Sequence, residues 1–309
     1  MYYAILITQL LFVPAVSPLL IGCIRKIKAK MQNREGASVF QPYRDLRKLF
    51  KKDEILSKDA SWISSFAPFI VFAVTLVVGA VIPVVMSGSA WGGAGDFIVI
   101  IYLMALGTFF LALNGLDAGN AFGGLGSSRE MTLAALTEGG LFFSLLPLAV
   151  IAGSTNLEHM LLHVETISAA GFVALFAAFC AFFIALLAEN ARYPFDNPST
   201  HLELTMVHEA MIIETSGRSL GLMEWAAGNK LAIFLVLGAN LFFPWGLGVP
   251  ADLTMLLGAL FVLLFKVFAL AAVVGVVESS MPKLRYFRLP PLLFASFVLG
   301  VIALVISVF

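Results

Sequence analysis

The sequence predicts an all-α integral membrane protein with eight transmembrane helices, and three observations carry that prediction. Of 309 residues, 60% are hydrophobic and only 12% are charged, whereas soluble domains carry about 25% charged residues. Eight apolar runs approach the roughly 20 residues needed to cross a hydrocarbon core of about 30 Å, where backbone groups must be bonded within the helix. All 19 Lys and Arg residues fall in alternate loops or inside a run, which orients the chain as well as classifying it.

The runs are expected at about 3–23, 63–86, 97–116, 131–152, 168–188, 228–246, 253–276 and 291–309. The first is not expected to be a cleaved signal peptide, because Met1-Tyr2-Tyr3 lacks a basic residue and the positive charge follows the run. Loops 24–62, 117–130, 189–227 and 277–290 hold every Lys and Arg outside the runs. Loops 87–96, 153–167 and 247–252 hold none. The positive-inside rule makes the basic loops cytoplasmic and puts both termini outside. Eight spans satisfy that parity. No repeat of 20–50 residues is evident, and residues 1–309 are read as a single integral membrane domain.

Two cytoplasmic loops are too long for mere connectors. Tyr43 to Lys52 reads as an amphipathic helix, with Leu46, Leu49 and Phe50 on one side and Gln41-Pro42 at its start. Its basic strip suits anionic lipid or a docking surface for a cytoplasmic partner. In the loop 189–227, Asn197-Pro198 is a cap followed by a first-turn proline. That predicts a helix to about Thr215, where Ser216-Gly217 ends it. On such a helix Glu203 and Glu214 lie about 20° from the same face. His201 and His208 are about 10 Å apart along the axis, too far for one metal ion, and no metal site is expected. Glu189, Asp196, Glu203, Glu209, Glu214 and Glu224 crowd beside a membrane entrance that is otherwise basic, a pattern that suits a proton path.

Two ionisable residues lie inside runs. Glu138 is about two turns into the fourth, and Lys266 is near the middle of the seventh. An unpaired ion there costs several kcal/mol, so each needs a partner, water or neutralisation. Snorkelling fits Lys266 poorly, with about ten residues on either side. Asp117, Arg129 and Glu130 sit at expected helix ends, where capping and function compete. Cys23 and Cys180 form no C-x-x-C pair, and neither a haem-attachment motif nor a Gly-rich nucleotide loop occurs. The chain is therefore expected to hold no redox centre of its own. Its expected surroundings are the lipid bilayer and protein partners, with no nucleic acid.

Taken together, these residues resemble the complex I subunit 1 family, the H type, over most of the chain. Gln32-Asn33-Arg34-x-Gly36, then Gln41-Pro42, Asp45 and Lys48-Leu49, are similar to the family's first cytoplasmic loop. Ala188-Glu189, Arg192 and Pro194-Phe195-Asp196, then Glu203-Leu204, Glu214 and Ser216-Gly217, resemble its acidic third loop. The string Glu-x-x-Arg-x-Pro-Phe-Asp is the most specific element. The chain departs at Ser199 and His201, where quinone-reducing members carry Glu, and at Ala37, where they carry Pro. The segment between Glu203 and Glu214 is about three residues longer than theirs. The stretch from Thr200 to Met211 instead resembles the hydrogenase-4 and formate hydrogenlyase branch, in its C-type membrane component.

The resemblance implies a non-redox membrane subunit of an energy-converting [NiFe]-hydrogenase complex in the cytoplasmic (inner) membrane. Its partners would be peripheral hydrogenase large and small subunits, Fe–S subunits and antiporter-like membrane subunits, which would hold the Fe–S clusters and the Ni–Fe site. Arg34, Gln41, Pro42, Arg44, Asp45 and Lys48 would dock the soluble arm. Glu138, Glu189, Asp196, Glu203, Glu209, Glu214 and Lys266 would form the proton relay, with Arg192 as the charge partner of Glu189 or Asp196. One alternative is the H-type component of an NADH:quinone oxidoreductase, contributing to its quinone site, which Ser199 and His201 disfavour. The other is a stand-alone ion transporter, which the docking-size basic loop disfavours.

Overall fold

A computed structural model describes residues 2–57, 60–84, 95–164, 169–197, 206–246 and 252–308. Eight helices are long and apolar enough to cross a membrane. They are α1 (Tyr2–Met31), α3 (Trp62–Val81), α4 (Phe97–Asp117), α5 (Ala121–Ala152), α7 (Ala169–Glu189), α9 (Gly217–Leu241), α10 (Leu253–Ser280) and α11 (Leu289–Val308), the last preceded by a 3₁₀ turn at Tyr286–Arg288. Three shorter helices lie between them: α2 (Gln41–Leu49), α6 (Leu157–Val164) and α8 (His208–Met211). No strand is formed among the described residues; Asp96 and Asn156 make one isolated bridge.

Helix α9 is the hub, with nearly every residue from Leu231 to Leu241 buried. It packs on α1, α3, α7 and α10, while α11 packs on α5 and α7. Small residues permit the close crossings, as expected where lipid supplies no hydrophobic drive between helices. A Cβ on Gly123 would lie 2.2 Å from the Gly115 carbonyl oxygen, and one on Gly300 would lie 2.8 Å from the Phe143 backbone. Helix α1 carries Pro14 and Pro18. Pro18 has no N–H for the Pro14 carbonyl, and Trp225 Nε1 of α9 donates to that oxygen instead, at 3.0 Å.

The boundaries correct the sequence expectation in several places. Helix α5 begins at Ala121 rather than near 131, because Asn120 caps it through the Phe122 N–H. Of the glycines after Asn120, Gly123 serves the α4 crossing and Gly126 the approach of Val207 and Ala210. Helix α9 begins at Gly217 rather than 228 and ends at Leu241, so Lys230 lies thirteen residues inside it. The amphipathic α2 spans Gln41–Leu49 rather than 43–52, with the expected facing. Leu49 packs on Gly221, and Phe50 meets the edge of Trp225 at 6.1 Å. The long helix expected from Asn197 to Thr215 is not formed in its described part, where only α8 is helical. Asp196 Oδ2 takes the Val207 and His208 N–H groups, at 3.3 and 3.2 Å, so the chain folds back there. Glu203, with Ser199 and His201, lies outside the described residues.

Candidate functional site

A cavity of about 200 Å³ lies beneath the basic loops, enclosed by α1 to α5, α8, α9 and the turn after α7. Val71, Val74, Met104 and Leu111 give it an apolar floor. Its wall carries the ionisable residues Glu130, Glu189, Arg192, His208, Glu209 and Lys230. Titratable groups thus meet a hydrophobic surface among helices long and apolar enough to cross a membrane, where charge is expensive and functional use is the default reading.

Among the described residues, three largely buried ion pairs border this cavity. Lys230 Nζ lies 2.7 Å from Glu189 Oε2, with side-chain exposures of 17% and 7%. It also donates to Thr108 Oγ1 of α4 at 3.2 Å. Glu278, at the end of α10, is held from two sides: Arg192 lies 3.2 Å from Oε1 and Lys28 of α1 lies 3.3 Å from Oε2. The Lys28 ammonium also sits over the Tyr193 ring, 4.4 Å from its centre. A fourth pair stands behind the turn. Asp196, buried, lies 2.5 Å from Lys283. The expected role of Arg192 is therefore corrected: its carboxylate partner is Glu278, neither Glu189 nor Asp196. Helix α7 ends at Glu189, and Ala191 turns the chain with φ 48°, which carries Arg192 toward α10.

His208 is neutral at pH 7. Burial pushes its imidazole down to about 4 from an ordinary 6.5; Asp196 opposes the shift, while Lys230 and Arg192 add to it. Tyr193 is pushed upward by burial and by the nearby Glu278 and Asp196.

The remaining expected residues divide. Glu189 and Glu209 line the cavity. Glu138 lies eight residues beyond Glu130 on α5, about 12 Å along the axis. With α5 starting at Ala121 it sits near mid-helix, deeper than expected. Glu214 is on the surface and accepts from Asn120 Nδ2 at 2.9 Å. Asp196 organises the loop backbone. Lys266 stands apart from the cavity, with Nζ donating to Asn240 Oδ1 and to the Phe243 and Trp245 carbonyls at 3.2, 2.9 and 3.2 Å. In the first loop Arg34, Arg44 and Lys48 are exposed. Pro42 and Asp45 face the cavity, and Gln41 bonds Asp45 at 2.8 Å. Sequence reasoning missed Glu278 and Lys28 as site residues and read Lys230 only as the basic residue opening the run 228–246. The available signal was that Lys230 and Glu278 border apolar runs and so needed opposite charges. Among the described residues no group of three His, Cys, Asp or Glu side chains could hold a metal ion.

The chain is similar to hydrogenase-4 component C of Escherichia coli, 34% identical with 96% of this chain and 93% of that protein covered. It is 33% identical to formate hydrogenlyase subunit 4 of the same organism, with 96% of each covered. An H-type component of the NADH-quinone oxidoreductase of Symbiobacterium thermophilum is 30% identical, with 81% of this chain and 76% of that protein covered. A chain in the structure of the membrane-bound sulfane sulfur reductase, an archaeal respiratory membrane complex, shares the fold with a TM-score of 0.82 at 19% identity, over 99% of both chains. The profile described as NADH dehydrogenase matches residues 3–309. The chain is a multi-pass membrane protein and belongs to the NADH dehydrogenase family, the complex I subunit 1 or H type.

Proposed function

We propose that this chain is the non-redox membrane subunit of a complex I-like energy-converting [NiFe]-hydrogenase complex in the cytoplasmic membrane. It docks a soluble redox arm on its cytoplasmic loops and relays the arm's chemistry into proton or ion translocation. The observation that carries this reading is the Glu189–Lys230 pair, 2.7 Å apart in the wall of a membrane-embedded cavity that opens beneath the basic loop. A carboxylate and an ammonium this buried are each other's main stabilisation. A change in charge at the loop side, at His208 or Glu209, alters the field on that pair and shifts the ammonium between Glu189 and the other acids of the wall. Glu189 then takes or gives up a proton, with Glu138 further along the path. Glu214 extends the acidic approach, and Asp196 shapes it. In this reading Lys266 is a structural cap.

The hydrogenase arm is favoured over a quinone-reducing one by the two Escherichia coli relatives, which are more similar and better covered than the NADH-quinone relative. The partners would then be hydrogenase large and small subunits, Fe–S subunits and antiporter-like membrane subunits. Their Fe–S and Ni–Fe centres would carry the electrons that this chain does not. The test is to tag the chain, solubilise membranes gently, identify what co-purifies, and measure nickel and H₂ turnover on the same sample. Nickel with H₂ activity supports the proposal; flavin with NADH:quinone activity moves the chain to a quinone-reducing complex. In the assembled complex, Glu189→Gln and Glu138→Gln are expected to lose ion translocation while assembly persists. Full translocation in both variants would remove the relay.

A further inference from the structure

We propose that Glu278 is a positioning residue: its buried carboxylate, clamped between Lys28 and Arg192, holds the turn 190–197 in the shape that forms one wall of the cavity. The turn cannot hold this shape alone. Ala191 has φ 48°, a left-handed conformation that is strained for a non-glycine residue. Strain of that kind persists only where the surroundings over-determine it. The surroundings here are the cytoplasmic end of α10 and the segment after it, which grip the turn by two charges of opposite sign. Glu278 takes Arg192, and Lys283 takes Asp196. Between them the Leu284 N–H donates to the Pro194 carbonyl at 3.0 Å.

Arg192 and Asp196 are four residues apart and of opposite sign, the spacing at which they would pair with each other on a helix. Each is instead taken by α10 or its extension. The turn is thus tied to α10 and, through Lys28, to α1. Its own amides close the structure: the Arg192 N–H bonds the Leu187 carbonyl at 2.9 Å, and the Phe195 and Asp196 N–H groups bond the Arg192 carbonyl at 2.8 and 3.2 Å. Those three amides report whether the turn is held.

The test is amide hydrogen exchange on the purified complex in lipid nanodiscs, comparing peptides that cover 190–197 with peptides from α4. Glu278→Gln keeps the shape and removes the charge; Glu278→Asp keeps the charge. Exchange at 190–197 should rise by about tenfold or more in the Gln variant, the mark of a local opening made easier by a lost ion pair. It should stay near wild type in the Asp variant, with α4 unchanged in both. An unchanged Gln variant, or equal rises in Gln and Asp, overturns the charge clamp. If Glu278→Gln fails to assemble, Lys28→Met removes one of the two cations and should give a smaller rise, confined to the same peptides; no rise there overturns the proposal. The functional arm rests on the relay reading above: ion translocation per electron should fall in the Gln variant and return in the Asp variant. Raised exchange with full coupling would support the clamp and count against the relay alone.

Discussion

Lys266→Met separates a structural lysine from a conducting one. Lys266 is 4% exposed, and its ammonium has three acceptors, Asn240 Oδ1, Phe243 O and Trp245 O. Two of these are carbonyls just past the last residue of α9, Leu241. The lysine of α10 thus caps the chain as it leaves α9. Asn240 in turn donates to the Pro83 carbonyl at 2.8 Å, and the ammonium lies 5.4 Å from the centre of the Trp245 ring. Methionine fills most of the volume and offers no donor. Asn240 Oδ1 and Phe243 O are then left dry, at about 1–3 kcal/mol each, while the half-exposed Trp245 lets water reach its carbonyl. The variant also loses the charge-assisted bonds, but it escapes the cost of burying an ammonium, several kcal/mol, which roughly offsets them. The balance is the two dry acceptors, a loss of about 2–6 kcal/mol, which lowers the unfolding midpoint by roughly 3–9 °C for a chain of this length. Lys266→Gln retains one donor group and should recover part of that. The assay is thermal unfolding of the purified complex by intrinsic tryptophan fluorescence, run beside ion translocation below the transition. An unchanged midpoint with abolished translocation would refute the cap and return Lys266 to the relay.

Three further outcomes follow from the same geometry. Lys230→Met strands Glu189 and should cost about 3–5 kcal/mol of stability, whereas Glu189→Gln with Lys230→Met should cost less than Lys230→Met alone; a double-mutant cycle on the unfolding midpoint checks the coupling. His208 has an ordinary value of 6.5 lowered to about 4 by burial, so between those values the unfolded chain binds the proton and the folded chain does not. Its contribution is complete above pH 6.5 and is lost as pH falls toward 4. His208→Gln should flatten that part of the stability profile, and a curve unchanged in shape would show that His208 is not its source. Gly217→Ala places a Cβ 2.5 Å from the Asp53 carbonyl oxygen at φ 55°. It should detach the first loop, measured as lost protection at 53–57 and weaker retention of co-purifying subunits.

The spans were legible because apolar runs of about 20 residues admit few other structures, and alternate basic loops ordered them. Boundaries failed where helices pass through polar sequence. The first turns of α5 and α9 carry Gly, Ser, Glu and Arg, since they border loops or a polar cavity rather than lipid. The described part of the loop helix, 206–215, departed from expectation for a different reason. Asn197-Pro198 is a sound local start signal, but Asp196, anchored by Lys283, already holds the N–H groups of Val207 and His208. Local chemistry proposed the helix, and a contact 87 residues away in sequence decided otherwise. Arg192 illustrates the same limit. Nearness in sequence pointed to Glu189 and Asp196, yet its partner lies 86 residues on.

The pairing scheme itself limits how charge can move here. Lys28, Arg192, Lys230 and Lys283 face the buried carboxylates Glu189, Asp196 and Glu278 in set pairs. Two of these carboxylates lie within a scaffold. Asp196 bonds backbone N–H groups as well as Lys283, and Glu278 shares its charge between two cations from different elements. Neutralising either one frees a cation and also loosens a turn. Glu189 differs: among the described residues its charged partner is Lys230, which also donates to Thr108 Oγ1. A proton arriving at Glu189 therefore strands one ammonium without disturbing the scaffold, at a cost of several kcal/mol in so dry a wall. Relief comes only if the Lys230 side chain swings toward another acid bordering the cavity, Glu130 or Glu209. Proton occupancy of Glu189 and the position of Lys230 are then a single variable. That is why Lys230, rather than the more conspicuous Lys266 in mid-membrane, is the lysine whose removal should uncouple the chain.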